Sequence, residues 1–154
     1  MEVESTVDSP RLAWSVISET RVGDPDKVIM LGAHLDSVKA GPGINDNGSG
    51  VAALLTIMRS FRRSSFKYQA RVRFAWWAAE EEQMLGSTRY VDMLSKRISE
   101  LNKVRYYFNY DMLGSVNATY DIQMNNQSGG GPYWLTRGMA CNSKQYFDEK
   151  VTYS

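Results

Sequence analysis

Residues 72–82 read Val-Arg-Phe-Ala-Trp-Trp-Ala-Ala-Glu-Glu-Glu. The first part of that stretch is apolar and aromatic apart from Arg73, the composition of a strand inside a sheet. Neighbouring strand residues point to opposite faces, so the pair Trp76-Trp77 marks a strand buried on both. Glu80-Glu81-Glu82 close it, where a buried strand has little use for three carboxylates. A solvated acidic loop is the ordinary fate of such a run. The alternative is a strand end that turns and aims its acids at one place.

Working outward, the pattern alternates strand and helix. Residues 12–20 (LAWSVISET) alternate apolar and polar, as a half-exposed strand does. Gly23-Asp24-Pro25-Asp26 has the composition of a turn. Residues 28–31 (VIML) form a short apolar run typical of a buried strand. Residues 40–50 are rich in glycine and read as a loop. From Val51 the period becomes helical, with Val51, Leu54, Leu55, Met58 and Phe61 on one stripe and Arg59, Arg62 and Arg63 suited to the C-terminal end of the dipole. A second amphipathic helix opens at Gly86-Ser87 and carries Tyr90, Val91, Leu94, Ile98 and Leu101. Residues 104–110 (VRYYFNY) are the next strand. Residues 117–124 read as strand or hairpin, 129–132 as a loop, and 133–139 as the start of a helix. Strands separated by helices imply parallel pairing with right-handed crossovers. The expected fold is α/β, a three-layer α/β/α sandwich around a mostly parallel central sheet, incomplete at its C-terminal end. Residues 1–154 form one partial domain, with no internal repeat and no linker.

Composition narrows the function. The chain has 154 residues, 18 Lys plus Arg against 17 Asp plus Glu, a net charge of +1. That balance speaks against a non-specific nucleic-acid binder. No apolar run reaches the length of a membrane helix. A single cysteine, Cys141, excludes an internal disulfide and a cysteine-based zinc site. A single histidine, His34, excludes a metal site built on several imidazoles of this chain. Residues 1–11 are polar and acidic, unlike a secretory signal. Asn-x-Ser/Thr triplets at Asn47, Asn117 and Asn126 carry little weight, being common by chance.

In an open α/β sheet, ligands bind at the carboxyl ends of the strands. His34 and Asp36 follow the strand at 28–31, Asp46 lies in the loop before the first helix, Glu80 and Glu81 follow the strand at 72–79, and Asp111 follows the strand at 104–110. Each has a plain reading alone: a core histidine, a turn aspartate, a helix N-cap at Asp46, a solvated loop, a buried aspartate capping a turn. Together they deliver one imidazole and several carboxylates to one sheet edge. Clustering such groups is costly unless something positive sits among them. A divalent cation is the economical explanation, with the Asp36 carboxylate able to hold one ring nitrogen of His34 and free the other for a metal.

The segments Gly-Ala-His34-Leu-Asp36-Ser, Gly-Ile-Asn-Asp46-Asn-Gly-Ser-Gly, Phe-Ala-Trp-Trp-Ala-Ala-Glu80-Glu81-Glu-Gln-Met-Leu-Gly-Ser and Asn-Tyr-Asp111-Met-Leu-Gly-Ser resemble, in order and in register, the co-catalytic zinc aminopeptidases of the aminopeptidase Y and bacterial leucyl aminopeptidase kind (peptidase clan MH). The resemblance implies two zinc ions per full site. His34 and Asp111 would hold the first, Asp46 would bridge both, and Glu81 would bind the second. Glu80 would be the general base and Asp36 the partner of His34. The implied reaction is removal of N-terminal amino acids from peptides with a free N-terminus by metal-activated water, in a secreted or vacuolar compartment, with no nucleic-acid or membrane partner. The family carries a further histidine on its second metal and a longer N-terminal stretch. Here no histidine follows His34, so the chain reads as a core piece truncated at both ends, with a weakened second zinc site and low or absent activity. A single-zinc glutaminyl-cyclase-like aminoacyltransferase would use Asp46 and Glu81 with a late histidine. A non-catalytic module of the same fold, or an unstable truncated product, is the other class. Retention of His34 and Asp111 favours the two-metal peptidase.

Overall fold

A computed structural model describes residues 11–65 and 67–116. The expected elements at 117–124, 129–132 and 133–139 lie outside the described residues. The chain runs β1 (Val16–Glu19), β2 (Asp24–His34), α1 (Gly48–Arg63), β3 (Ala70–Trp77), α2 (Leu85–Ser95), α3 (Ile98–Leu101) and β4 (Val104–Asn109). The fold is mixed α/β. Its sheet has four strands in the order β1-β3-β2-β4. Strands β3 and β4 flank β2, both parallel to it, while β1 runs antiparallel to β3 on the outer edge. Three parallel strands therefore end on the same rim. The chain leaves β2 toward β3 and returns across it to β4, which opens a crevice at the carboxyl end of the central strand.

Strand alternation sorts the core into two clusters. Leu31, Ala33, Val72, Phe74 and Trp76 meet Leu54 of α1. Met30, Ala75, Trp77 and Tyr107 form the second cluster, against Tyr90 of α2. The tryptophan pair thus separates as the pleat requires, Trp76 into the first cluster and Trp77 into the second. Helix α1 meets the sheet through Val51, Leu54, Ile57, Met58 and Phe61. Leu55, expected on this stripe, is 42% exposed; Ile57 takes its place because the stripe is centred on Leu54.

Two expectations are corrected. Of the turn expected at Gly23-Asp24-Pro25-Asp26, only Gly23 bends, with φ 98°; from Asp24 the chain is already β2, the Asp24 amide donating to the Gln69 carbonyl at 2.8 Å. The ladder slips between Asp24 and Val28, around Pro25, which has no amide hydrogen to give it. The helix from 86 to 101 is two helices. Arg97, at φ −130° and ψ 73°, leaves the helical region, and α3 restarts so that Leu101 turns inward at 4% exposure.

In the second cluster, the Trp77 Nε1–H donates to Tyr107 Oη at 2.8 Å, and the Tyr107 hydroxyl donates to Asn109 Oδ1 at 2.8 Å. Replacing Tyr107 by phenylalanine strands a buried indole N–H. We expect a loss of about 1–3 kcal/mol, measured as a lowered urea midpoint with unchanged slope.

Candidate metal centre

His34 is the last residue of β2 and is 2% exposed. Its Nδ1 lies 2.9 Å from the backbone carbonyl of Asp36. A carbonyl only accepts, so Nδ1 carries the hydrogen, and the Nε2 lone pair of the neutral ring faces outward into the crevice. Around Nε2 lie Asp46 Oδ1 at 3.1 Å, Asp111 Oδ1 at 3.3 Å and Glu80 Oε2 at 3.9 Å. These carboxylates come from the loop before α1, from the end of β4 and from the turn after β3. A nitrogen lone pair ringed by carboxylate oxygens is repulsive unless a proton or a cation lies between them.

The remaining acids are placed by different bonds. The Asp36 carboxylate accepts the Glu80 amide on Oδ1 at 2.9 Å and the Glu81 amide on Oδ2 at 3.1 Å. Its nearer oxygen is 3.6 Å from His34 Nδ1. Asp36 therefore grips the turn bearing Glu80 and Glu81 with its carboxylate, and the imidazole with its backbone carbonyl. That turn is tight: Ala79, Gln83 and Met84 all have positive φ, and the amides of Met84 and Leu85 donate to the carbonyls of Glu80 and Ala79 at 2.7 and 2.9 Å. The left-handed residues cost about 1–2 kcal/mol each and bend the chain so that two adjacent carboxylates reach one crevice.

Among the described residues two groups of atoms that could hold a metal result, His34 with Asp46 and Asp111, and His34 with Glu80 and Glu81, each with its atoms within 4.8 Å of one another. Asp46 and Glu81 fall in different groups, joined through His34. Donor chemistry fits zinc, which takes imidazole nitrogen and carboxylate oxygen. A second observation supports the fit: Glu81 Oε1 is buried and has no hydrogen-bond partner. A buried carboxylate oxygen without a donor calls for a cation.

Protonation follows the crowding. Burial holds the Glu80 carboxyl above its ordinary value, with the neighbouring acids Asp111, Glu81 and Asp36 adding to it. Burial raises Asp111 likewise, and Asp46 adds to it. Burial alone would lower His34, but Asp111 and Glu80 outweigh it and raise the imidazole. All three groups bind protons more tightly folded than unfolded. Linkage then makes stability fall as pH rises from the ordinary values of 3.8 for Asp111, 4.5 for Glu80 and 6.5 for His34 toward their raised folded values. We expect the chelator-treated protein to be more stable at pH 5 than at pH 8, and added zinc to reverse that order, since deprotonated ligands bind metal. Denaturant midpoints with and without zinc measure both.

Sequence reasoning missed Asn47. It is 2% exposed and caps α1, its side chain accepting the Gly50 amide, the role weighed above for Asp46. Its carboxamide also reaches Tyr110 and Met112. The Asx-Gly-Ser-Gly run ahead of an apolar helix was the signal for a cap; nothing in it announced the contacts to residue 110 and beyond. The burial also removes Asn47 as a glycan acceptor in the folded chain, while Asn117, Asn126 and Cys141 lie outside the described residues.

Comparison with known proteins places this geometry. Leucine aminopeptidase 2 of Trichophyton equinum is 48% identical over 140 residues, 91% of this chain and 27% of that protein. Aminopeptidase Y of Saccharomyces cerevisiae is 49% identical over 108 residues, 70% of this chain and 19% of that protein. The chain thus spans about a quarter of the length of these relatives. Among solved structures, a zinc aminopeptidase from Bacillus subtilis matches with a TM-score of 0.59 at 33% identity, over 75% of this chain and 28% of that one. An aminopeptidase from Aneurinibacillus matches at 0.56 and 33%, over 64% and 24%. A glutaminyl cyclase from an Acidobacteriales bacterium matches at 0.59 with 22% identity, over 73% and 42%, a likeness of fold alone. The model of peptidase family M28 matches residues 15–152, and the chain belongs to that family.

Proposed function

We propose that this chain is the metal-binding core of a zinc aminopeptidase, part of one catalytic domain that cleaves the first residue from peptides with a free N-terminus. One observation carries the reading: the His34 Nε2 lone pair, its tautomer set by the Asp36 carbonyl, faces carboxylates from three separate segments within 3.9 Å. His34, Asp46 and Asp111 would hold one zinc ion, and Asp46 with Glu81 would serve a second. Zinc bound there supplies a Lewis acid for the scissile carbonyl and a water acidic enough to lose its proton near neutral pH. The chain's own groups do the rest. Glu80, beside the imidazole yet a third exposed, takes the proton of the attacking water and delivers it to the leaving amine. Asp36 keeps Glu80 and Glu81 facing the crevice through their amides.

The relatives named as aminopeptidases support this reaction class; the secreted or vacuolar location proposed with it follows from the family resemblance. Among the described residues no helix is long and apolar enough to cross a membrane. The absence of any histidine but His34 supports a weaker second metal and low turnover for these 154 residues alone. Zinc content per chain, followed by hydrolysis of an aminoacyl chromogenic substrate with and without added zinc, tests the proposal. Zinc-dependent release of the chromophore is the expected result. A folded chain that takes up no zinc would sink it. Cyclisation of an N-terminal glutamine without hydrolysis would favour the cyclase chemistry instead.

A further inference from the structure

We propose that the carboxamide of Asn47 is the positioning residue that fixes the distance between the carboxylates of Asp46 and Asp111. This rests on the metal reading above. Asn47 follows Asp46 directly in the chain. Its Oδ1 accepts the Gly50 amide at 3.1 Å and the Met112 amide at 3.3 Å, and its Nδ2–H donates to the Tyr110 carbonyl at 2.8 Å. Tyr110 and Met112 are the two residues flanking Asp111. One planar, buried group therefore holds the backbone on both sides of one acid while being bonded to the other.

A helix cap needs only the contact to Gly50. The bonds to residues 110 and 112 lie beyond that need, and they tie the start of α1 to the end of β4. Three of the four hydrogen-bonding positions of the carboxamide are used, so its plane cannot rotate without breaking a buried bond. Gly50 leaves the room: a Cβ there would collide with both Asn47 Oδ1 and the Tyr110 carbonyl oxygen. A second tie runs alongside, from Asn45 Nδ2–H to Ser115 Oγ at 3.0 Å. Asp46 and Asp111 are thus bracketed by side-chain links between the same two segments, and Asn47 is the buried one.

Serine separates this role from capping. Asn47→Ser keeps a good N-cap for the Gly50 amide, but its short side chain cannot reach residues 110 and 112. Zinc affinity by calorimetry, thermal midpoint, and the visible spectrum of the cobalt(II)-loaded protein are read on the parent, Asn47→Ser, Asn47→Ala and Leu54→Val. The last loosens α1 from the sheet without touching these bonds. We expect Asn47→Ser and Asn47→Ala both to weaken zinc binding about 10–100-fold, as loss of a group that orients ligands does, with an altered cobalt band. Serine should regain much of the thermal stability that alanine loses, and Leu54→Val should keep the parent's affinity. Serine at parent affinity, or an equal loss in Leu54→Val, overturns the proposal. Should the alanine variant fail to fold, the serine variant decides alone. A parent chain that binds no zinc overturns the metal reading itself, an outcome distinct from a zinc-binding parent with an indifferent serine variant.

Discussion

Glu80→Gln is expected to lower peptide-bond hydrolysis by the zinc-loaded protein about 10²–10⁴-fold, the contribution of a positioned acid–base group, while zinc per chain stays unchanged. The two readouts must part company for a stated reason. Glutamine keeps the size and the oxygen of the side chain but cannot take a proton from water. Glu80 Oε2 lies 3.9 Å from His34 Nε2, farther than Asp46 and Asp111 at 3.1 and 3.3 Å, so it is the acid least committed to the nitrogen's side of the crevice. Glu81, one residue on, has the buried oxygen that lacks any donor, which suits it better than Glu80 to the proposed role of holding a cation. Stability should hold or rise, because removing one of several crowded acids relieves the repulsion between it and Asp111, Glu81 and Asp36. If Glu80→Gln lost zinc and Glu81→Gln kept it, the division of labour between these neighbours would be reversed.

The strands that carry the site were legible because each is an apolar run closed by a charge. Val28-Ile29-Met30-Leu31 before His34, and Phe74-Ala75-Trp76-Trp77 before Glu80, are costly to expose, and parallel pairing then brings their ends to one rim. Strand neighbours were not legible. Strand β4 pairs with β2 and not with β3, a choice between neighbours distant in sequence that no local pattern records. The side chains that hold the site in place were hidden for the same reason. Asp36 was read as a partner for a histidine two residues away; its carboxylate bonds the amides of Glu80 and Glu81, 44 and 45 residues on. Asn47 was read as part of a glycine-rich loop and of an Asn-x-Ser triplet, and its partners Tyr110 and Met112 are 63 and 65 residues distant. Residue types able to hold a metal announce themselves by charge at an apolar strand's end. Their supports are ordinary amides and carboxylates whose partners exist only once the sheet is assembled.

His34→Ala is expected to weaken binding of the first zinc by more than the 10–100-fold lost with a group that only orients a ligand. The imidazole is the one nitrogen proposed for that zinc, and its loss leaves the carboxylates of Asp46 and Asp111 there. Oxygen pairs without a nitrogen ligand favour harder cations than zinc, so the variant should discriminate less between zinc and manganese or magnesium than the parent does. The fold should suffer as well, although the alanine is apolar and fits a buried strand end. Without the imidazole, the acids that converge on Nε2, Asp46, Asp111 and Glu80, lose the positive charge that a protonated His34 places among them. The deficit in the denaturant midpoint relative to the parent, measured in chelator, should therefore be larger at pH 5, where the raised imidazole is charged, than at pH 8. Asp111→Asn separates the two effects. It removes one negative charge and keeps the nitrogen ligand, so it should lower zinc affinity while raising stability in chelator. A His34→Ala chain that bound zinc as tightly as its parent would place the metal elsewhere, away from the rim where β2, β3 and β4 end.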